Sequence, residues 1–587
     1  YDYRVLATTP NVTGTGVLNV GTGATAVNYN FRIQGAIPDL NVDNTTNAKT
    51  ATVILGTTTI FGTATITSGA TLSANGFNLV FRGAIANSGT LNGSTASSTL
   101  TFQGTAAQTV GGAVTGPVPT VVVNNAAGVT ITPSVSISSA LTLTAGNLSS
   151  GGTITLGAGA ATGFTFISSG GTLSGTVALN YGTGTRNFTY NSSTGSQTTG
   201  AELPASVATG TLTINNTFTG GSVTLNSALS IQNLVLTAGI LNTSASNLLT
   251  VLGTTTGSVT GGSATSFVAG PLSRSLPTAL TGLSTYRWPV GKAQYNLLTL
   301  APNTTAATTM QVEVFDADPV ASGGFTLTNN RYWQISPVAN ITGDNLFVTL
   351  TESGLTANSR VGQLVGTSPT GTYANFGGNL GTGTITNNVI LNNLGSGANS
   401  TYLITGTVAP FTAGIYAVGP TANAGTLQPD GITLYDGFFP NLITAINTIN
   451  SATPSTGNVV FELQNDYVPE ASFLNITYQG TASAGLTIRP RSDLPGTLTI
   501  EANNTGIIRF NGAKYVTIDG RPGATGSTKG LVINNLSVVA GQSTIEFSND
   551  AQNNAVKYCT IRGNSASTTA GTITFLTAAS GGTGNDN

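Results

Sequence analysis

The stretch Leu141-Thr-Leu-Thr-Ala-Gly146 returns later in the chain as Leu234-Val-Leu-Thr-Ala-Gly239. In the first copy leucine alternates with threonine, and both copies end at a glycine. A period of two places successive side chains on opposite faces of a strand, and glycine supplies the turn that follows. The stretch therefore predicts a β-strand that ends in a tight turn.

The chain repeats itself around this stretch. A strand that ends in two asparagines precedes each copy, Val121-Val-Val-Asn-Asn125 in the first and Thr211-Leu-Thr-Ile-Asn-Asn216 in the second, so the offsets are 91 and then 93 residues. A weaker copy runs from Leu40-Asn-Val-Asp-Asn44 to Ala64-Thr-Ile-Thr-Ser-Gly69. Simple solenoid units are shorter, so each copy is interpreted as several coils that bury their apolar faces by stacking. At roughly 20–25 residues a coil, this region would hold about 11–13 coils.

Composition excludes several classes of function. The 587 residues include 18 basic and 20 acidic ones, or 6 %, whereas soluble domains typically carry about 25 %. This balance offers no electrostatic footprint for nucleic acid. The absence of histidine removes Ser–His and Cys–His nucleophile systems, and the single cysteine, Cys559, excludes intrachain disulfides and thiolate clusters. No apolar run is long enough for a membrane-spanning helix.

Charge and aromatic content divide the chain into three predicted domains. Residues 1–265 form the β-solenoid repeat region, 266–419 a β-sandwich module, and 420–587 a β-helix. The central region contains both tryptophans and alternating segments such as Met310–Phe315, which favour antiparallel strands. We expect the chain to be a segment of a longer polypeptide.

The third region opens with the one convincing helix. Its apolar residues recur with helical spacing at Leu442, Ala445, Ile446 and Ile449. A solenoid's first coil leaves an apolar end open to water, so this helix is expected to cap it. The predicted fold is all-β: β-solenoid repeats, a central antiparallel β-sandwich, and a C-terminal right-handed parallel β-helix with a short capping helix.

Several motifs resemble a known group of proteins. Beyond the cap helix, the third region carries Tyr515-Val-Thr-Ile-Asp-Gly-Arg521, and Asn549-Asp-Ala-Gln-Asn-Asn554 ahead of Val556-Lys-Tyr-Cys-Thr-Ile561. This region resembles the pectin-lyase-like β-helix of large secreted Bacteroidetes surface proteins. The same proteins share a module similar to Gly270-Pro-Leu272, Trp288-Pro-Val-Gly-Lys292 and Asn330-Arg-Tyr-Trp333. The resemblance implies type IX secretion, an extracellular location at the bacterial cell surface, and a role as an adhesin or gliding-motility filament.

Some β-helix proteins cleave polysaccharides with paired carboxylates, or with calcium and a basic residue. The residues that could serve here are Asp519, Arg521, Glu546, Asp550 and Lys557. The three carboxylates also have an interpretation without a catalytic role. Asp519 precedes Gly520 and suits a turn, while Glu546 and Asp550 suit an exposed surface. Two glycosidase carboxylates must face each other within about 5–10 Å, which spacing along the chain does not fix.

Three further positions invite a functional interpretation. Asp316 and Asp318 flank one residue, but calcium needs six to eight oxygen ligands, so an exposed turn is favoured. Arg287 and Trp288 could form a carbohydrate platform, although tryptophan in a sandwich usually belongs to the core. Cys559 lies in an alternating strand and is expected to be a buried small side chain.

The sequence thus predicts a protein without catalytic, cofactor or metal-binding residues. We expect a structural and adhesive segment of a secreted bacterial cell-surface protein, which forms a rod or fibre for attachment, motility or filament assembly. Expected partners are other copies of the chain, other surface proteins and glycans. The alternative is a carbohydrate-active lyase or hydrolase, or a carbohydrate-binding β-helix protein.

Overall fold

A computed structural model gives the fold, in which 52 % of the residues are in strands and 3 % in helix. The predicted all-β class is confirmed, and the β-solenoid has about 19 turns. The structure describes residues 2–4, 15–20, 29–44, 47, 49–159, 163–322, 325–336, 338–356, 359–387, 394, 396–408, 411–423, 425–452, 455–469, 474–502, 507–537, 542–563, 571–576 and 584–587.

The chain divides into two compact units. The first comprises Tyr1–Asp316, Trp333–Thr351 and Asn392–Thr401, and the second comprises Ala317–Tyr332, Glu352–Leu391 and Tyr402–Asn587. The three domain boundaries inferred from composition stay predictions.

Parallel strands form three faces in the coils of the first unit. Among the described residues, face 1 comprises thirteen strands: Val17–Val20, Asp39–Val42, Ala64–Ile66, Ile85–Asn87, Gln108–Val110, Val129–Ile131, Asn147–Ser150, Thr172–Leu173, Gln197–Thr198, Ser222–Thr224, Ile240–Asn242, Val268–Ala269 and Val290–Gly291. Face 2 contains Asp2–Arg4, Thr71–Ser73, Thr90–Asn92, Ala113–Thr115, Thr153–Leu156, Thr176–Leu179, Leu249–Val251 and Leu272–Leu276. Face 3 contains Asn78–Phe81, Thr99–Phe102, Val118–Asn124, Phe164–Ser168, Arg186–Tyr190 and Val259–Gly261. Longer strands run across faces 2 and 3 at Tyr29–Ile37, Lys49–Ile60, Val135–Ala145, Ser206–Asn215 and Leu229–Ala238, and a 3₁₀ turn spans Thr256–Ser258.

The coils differ in length while the strands of face 1 stay in register. Along face 1, Val223 pairs with Leu241 after 18 residues, whereas Leu241 pairs with Val268 after 27. The difference lies in the turns, because the paired strand residues remain aligned. Loop length changes stability only slowly, so the stack tolerates this variation.

Apolar side chains stack into columns inside the coils. One column on face 3 joins residues that are all at most 2 % exposed: Leu79, Leu100, Val121, Leu141, Phe166, Phe188, Leu212, Leu234 and Val259. Burying each such side chain contributes about 1.5–3 kcal/mol. Four coil steps separate Leu141 from Leu234, so the sequence repeat is a block of four coils.

The strand Leu272–Leu276 ends the parallel pairing on face 2. It pairs in parallel with Leu249–Val251 on one side and antiparallel with Thr308–Phe315 on the other. The other central strands are Tyr286–Trp288, Leu298–Thr304, Ala321–Ser322, Phe325–Leu327, Tyr332–Ile335, Ile341–Thr351, Ser359–Gly366, Gly371–Thr372, Ala374–Asn375, Asn379–Gly381, Thr384–Thr386 and Ser400–Val408. Most of the pairings among them are antiparallel, as the sequence predicts.

The second unit contains the predicted parallel β-helix. In the described residues its strands form three sheets. The first sheet comprises Gly414–Val418, Gly437–Phe439, Val459–Leu463, Leu486–Pro490, Val516–Asp519 and Ala555–Lys557. The second comprises Leu474–Ile476, Ile508–Asn511, Ile545–Ser548 and Ile573–Phe575, and the third comprises Leu498–Ala502, Leu531–Asn535 and Cys559–Arg562. A 3₁₀ turn spans Pro522–Ala524.

The predicted capping helix is α1, Leu442–Ser451. Its four stripe residues are all buried in the core of the β-helix. The Asn441 side chain accepts a hydrogen bond from Thr444 N at 2.8 Å, so it caps the helix N-terminus. At the other end Asn450 Nδ2 donates to Asn475 O at 2.7 Å, and its Oδ1 accepts from Thr477 N at 2.9 Å. The Asn450 side chain thereby pairs with backbone groups at the open edge of Leu474–Ile476, as a neighbouring strand would.

Candidate functional site

Three of the five candidate catalytic residues come together in the second unit. Asp519 ends a strand and is only 1 % exposed. Its Oδ1 accepts from Arg521 N at 3.1 Å and Nε at 3.0 Å, and its Oδ2 accepts from Arg521 Nη2 at 2.7 Å. The predicted turn is therefore present, and a two-point ion pair reinforces it. Lys557 Nζ lies 3.5 Å from Oδ2 because Lys557 is the register partner of Asp519 on the next coil.

These cations keep the carboxylate charged. Burial alone would raise the pKa of Asp519, but the hydrogen bonds from Arg521 and the charges of Arg521 and Lys557 lower it below its ordinary value. The Arg521 guanidinium carbon also lies 4.2 Å from the ring centroid of Tyr558, which is 43 % exposed. A general acid needs a raised pKa, so the environment of Asp519 suits a structural anion.

The other two candidates lie apart from Asp519. Glu546 belongs to the sheet of Ile545–Ser548 and forms an ion pair with its register partner Arg509, at 2.6 Å. Asp550 Oδ1 accepts a hydrogen bond from Gly584 N at 2.8 Å. Glu546 thus belongs to a different sheet from Asp519, and among the described residues neither Glu546 nor Asp550 forms a hydrogen bond or ion pair with Asp519.

The remaining candidates take structural positions. Asp316 Oδ2 accepts from Ala293 N at 3.0 Å, and Asp318 Oδ1 accepts from Val320 N at 2.8 Å. Within the described ranges no group of three or more His, Cys, Asp or Glu residues could hold a metal ion. The bond from Val320 N to Asp318, two residues earlier, is typical of a turn.

Trp288 is a core residue. It is fully buried, and its Nε1 donates to Met310 O at 3.2 Å. Arg287 donates to Tyr295 Oη at 3.2 Å. A carbohydrate platform requires an exposed ring, so that interpretation of Trp288 is wrong.

Cys559 is half-buried rather than fully buried as expected, because it lies at the rim of the core. Its thiol donates to Lys557 O at 3.4 Å. Burial, aided by the nearby charge of Asp519, raises the pKa of Cys559 to about 12. The thiol therefore stays protonated and poorly nucleophilic at neutral pH.

Sequence reasoning missed a buried ion pair between neighbouring coils. Glu462 is 2 % exposed, and its Oε2 accepts from Arg489 Nε at 2.9 Å and Nη2 at 2.8 Å. Tyr435 Oη donates to the other oxygen, Oε1, at 2.6 Å. The sequence could have indicated this pair, because Glu462 and Arg489 occupy the same position in two consecutive strands of one sheet.

One regular surface of the first unit is built from uncharged residues. Two columns follow face 3, in which strand partners align as Thr57, Asn78, Thr99, Thr120, Ala140, Thr165, Asn187, Thr211, Asn233 and, beside them, Thr59, Val80, Thr101, Val122, Thr142, Ile167, Thr189, Thr213, Val235, Thr260. All of these residues are partly or fully exposed except Val80, which is buried. We call these columns the Thr/Asn face. The solvated face of a sheet usually carries polar side chains, and the polar side chains of these columns are all uncharged. Stiff β-branched side chains dominate it, so its hydroxyls and methyls are held in order.

Comparison with known proteins gives no relative. No protein-family model, curated protein or solved structure matches the chain. Among the residues that the structure describes, no helix has the length and apolarity to cross a membrane. The assignment as a β-solenoid therefore rests on the strand pairing and the buried columns.

Proposed function

We propose that this chain is a structural and adhesive segment of a secreted bacterial cell-surface protein. The observation that carries the proposal is the Thr/Asn face, an ordered and uncharged surface backed by a continuous buried column. An extracellular location and type IX export are part of the proposal, and they rest on the sequence resemblance.

A stack of coils suits a structural role because each coil depends only on its neighbours. Thirteen strands on face 1 at about 4.8 Å spacing extend over roughly 58 Å. A stack of this length can hold its two ends apart, which is a structural role that requires no active site. Self-association, or binding to other surface proteins, would use the same exposed side chains.

The Thr/Asn face suits adhesion because its side chains have little conformational freedom left to lose when it binds. Most of its side chains are β-branched, and Thr101 Oγ1 donates a hydrogen bond to Asn78 Oδ1 at 2.8 Å. A pre-organised surface gains affinity by avoiding the entropy cost of ordering its side chains. The lack of charge favours neutral, hydroxyl-rich partners such as glycans over ionic ones.

The test compares bead attachment by the full chain and two charge variants. Beads coated with the chain should adhere to glycan-coated glass, and Thr99→Lys with Thr213→Lys should reduce attachment several-fold. The matched control, Thr90→Lys with Thr155→Lys, puts the same charges on face 2 and should leave attachment unchanged. Equal losses in both variants, or no attachment by the unmodified chain, would contradict the adhesive role.

A carbohydrate-active role is the second candidate. It is favoured by the convergence of Asp519, Arg521 and Lys557 beside the exposed Tyr558 ring. Incubation with polygalacturonate and with neutral glucans, followed by measurement of reducing ends, tests it. Compact monomers that release ends, and lose this activity in Arg521→Ala, would replace the structural proposal.

A further inference from the structure

Three successive turns of the first unit differ in length and leave a cleft between them. Ile214, Leu236 and Gly261 are register partners before the turns, and Val223, Leu241 and Val268 are register partners after them. The number of residues that lie between the two positions is eight in the first turn, four in the second and six in the third. The middle turn is the shortest, so its two neighbours project past it. The resulting cleft has a volume of about 500 Å³.

The floor of the cleft is a tight turn at Gly239. Its φ of +81° favours glycine, and a Cβ there would lie 2.8 Å from both Cβ and O of Asn216. Gly239 N donates to Thr265 O at 3.0 Å, and Ile240 N donates to Gly221 O at 3.1 Å. The floor is therefore fixed, and these amide groups are not available to pair with an added strand.

The first wall holds Phe218 in an exposed position. Asn216 Oδ1 accepts from Phe218 N at 3.1 Å, and Phe218 O accepts from Gly221 N at 2.7 Å. Asn216 is itself anchored, because its Nδ2 donates to Gly195 O at 2.8 Å. The Phe218 side chain is 43 % exposed even though its backbone is well ordered by these bonds.

The second wall is a small hairpin. Ser263 N donates to Ser266 O at 2.8 Å, and Ser266 N donates back to Ser263 O at 3.1 Å. Ala264 and Thr265 form its tip and line the cleft. Both walls are thus organised before any ligand arrives, which favours binding.

The lining combines an apolar ring with neutral polar groups. Phe218, Ala238 and Ile240 supply apolar surface, while the exposed Thr217 and Thr219 carry hydroxyls that have no hydrogen-bond partner in the described part of the chain. None of the eleven lining residues is charged. The sequence contains no Asp, Glu, Lys or Arg from residue 203 to residue 273. An ionic ligand would lose its hydration here without gaining a counter-charge.

We infer that the cleft around Phe218 binds a neutral sugar residue of a glycan. The short middle turn leaves a slot about one coil thick, roughly 4.8 Å, which suits a flat ring inserted between the two walls. A pyranose has an apolar face for the Phe218 ring and hydroxyls for Thr217 and Thr219. This inference rests on the proposed adhesive function and names its ligand class.

The experiment titrates the full chain with cellotetraose, tetra-N-acetylchitotetraose and tetragalacturonate by calorimetry. At least one neutral tetrasaccharide should bind, and tetragalacturonate should not. Phe218→Ala should weaken neutral binding at least about tenfold, as expected when a central aromatic contact is lost. The matched control Phe347→Ala removes another exposed phenylalanine of the same unit, 38 % exposed, and should leave binding unchanged.

Three results would overturn the inference: no neutral binding, preference for the anionic probe, or equal affinity of Phe218→Ala and the unmodified chain. Circular dichroism of each variant checks that the strands persist. The bead assay separates this inference from the proposed function. Beads that attach normally while no oligosaccharide binds would reject the cleft alone, whereas beads that never attach would reject adhesion.

Discussion

Replacement of Phe188 by alanine tests whether the first unit behaves as a one-dimensional stack. Phe188 is fully buried and lies between Phe166 and Leu212 on the adjacent coils. Its ring centroid is 6.5 Å from that of Phe166 and 5.9 Å from that of Tyr181. Deleting such a ring should cost about 3–5 kcal/mol, since the column cannot collapse around the cavity.

The loss should be local because each coil contacts only its neighbours. A cost near 4 kcal/mol corresponds to roughly a thousandfold faster hydrogen exchange in the affected strands. Mass spectrometry should detect this in Phe164–Ser168, Arg186–Tyr190 and Ser206–Asn215. Strand Asn78–Phe81, several coils away, should keep its protection.

The matched control is Thr189→Ala, which alters the outward neighbour of Phe188 and should change stability by less than about 1 kcal/mol. Uniform loss of protection over the whole unit would refute nearest-neighbour stacking. A Phe188→Ala variant as stable as the control would refute the role of the buried column.

Three other predictions concern the second unit. Asn450→Ala should lower the unfolding free energy by about 1–3 kcal/mol, because Asn475 O and Thr477 N lose their hydrogen-bond partner. The control Asn447→Ala changes an exposed residue of the same helix and should leave stability unchanged, so equal melting temperatures of the two variants would contradict this prediction. Because the folded pKa of Asp519 is lowered, its contribution should be complete above the unfolded value of about 3.9 and lost as pH falls through the folded value. Acid titration of stability should therefore be shallower in Asp519→Asn, and identical curves would count against the ion pair. Cys559, with its pKa of about 12, should react slowly with iodoacetamide at about pH 8 and quickly in denaturant; fast labelling of the folded chain would disprove its burial.

The sequence repeat predicted the coils because alternation at Leu141 and Leu234 directly reflects inward and outward positions. The helix stripe was equally readable, since Leu442 and Ile449 lie two turns apart on one face. Both signals are local, so they need no knowledge of which coil lies next to which.

Contacts between coils were harder to predict. Asp519 meets Lys557 after 38 residues, and Glu462 meets Arg489 after 27, because the intervening turns differ in length. The cleft at Phe218 likewise depends on the lengths of three stacked turns, of which the middle one is the shortest. Burial of Trp288 depended on antiparallel partners that no local period specifies.

The strand Leu272–Leu276 has a consequence for how such a gene can change. Its parallel edge accepts the coil before it, and its antiparallel edge belongs to a different architecture. Duplication or deletion of a four-coil block upstream would preserve the register at this junction. Recombination between repeats could therefore lengthen or shorten the protein in steps, while the downstream half is inherited unaltered.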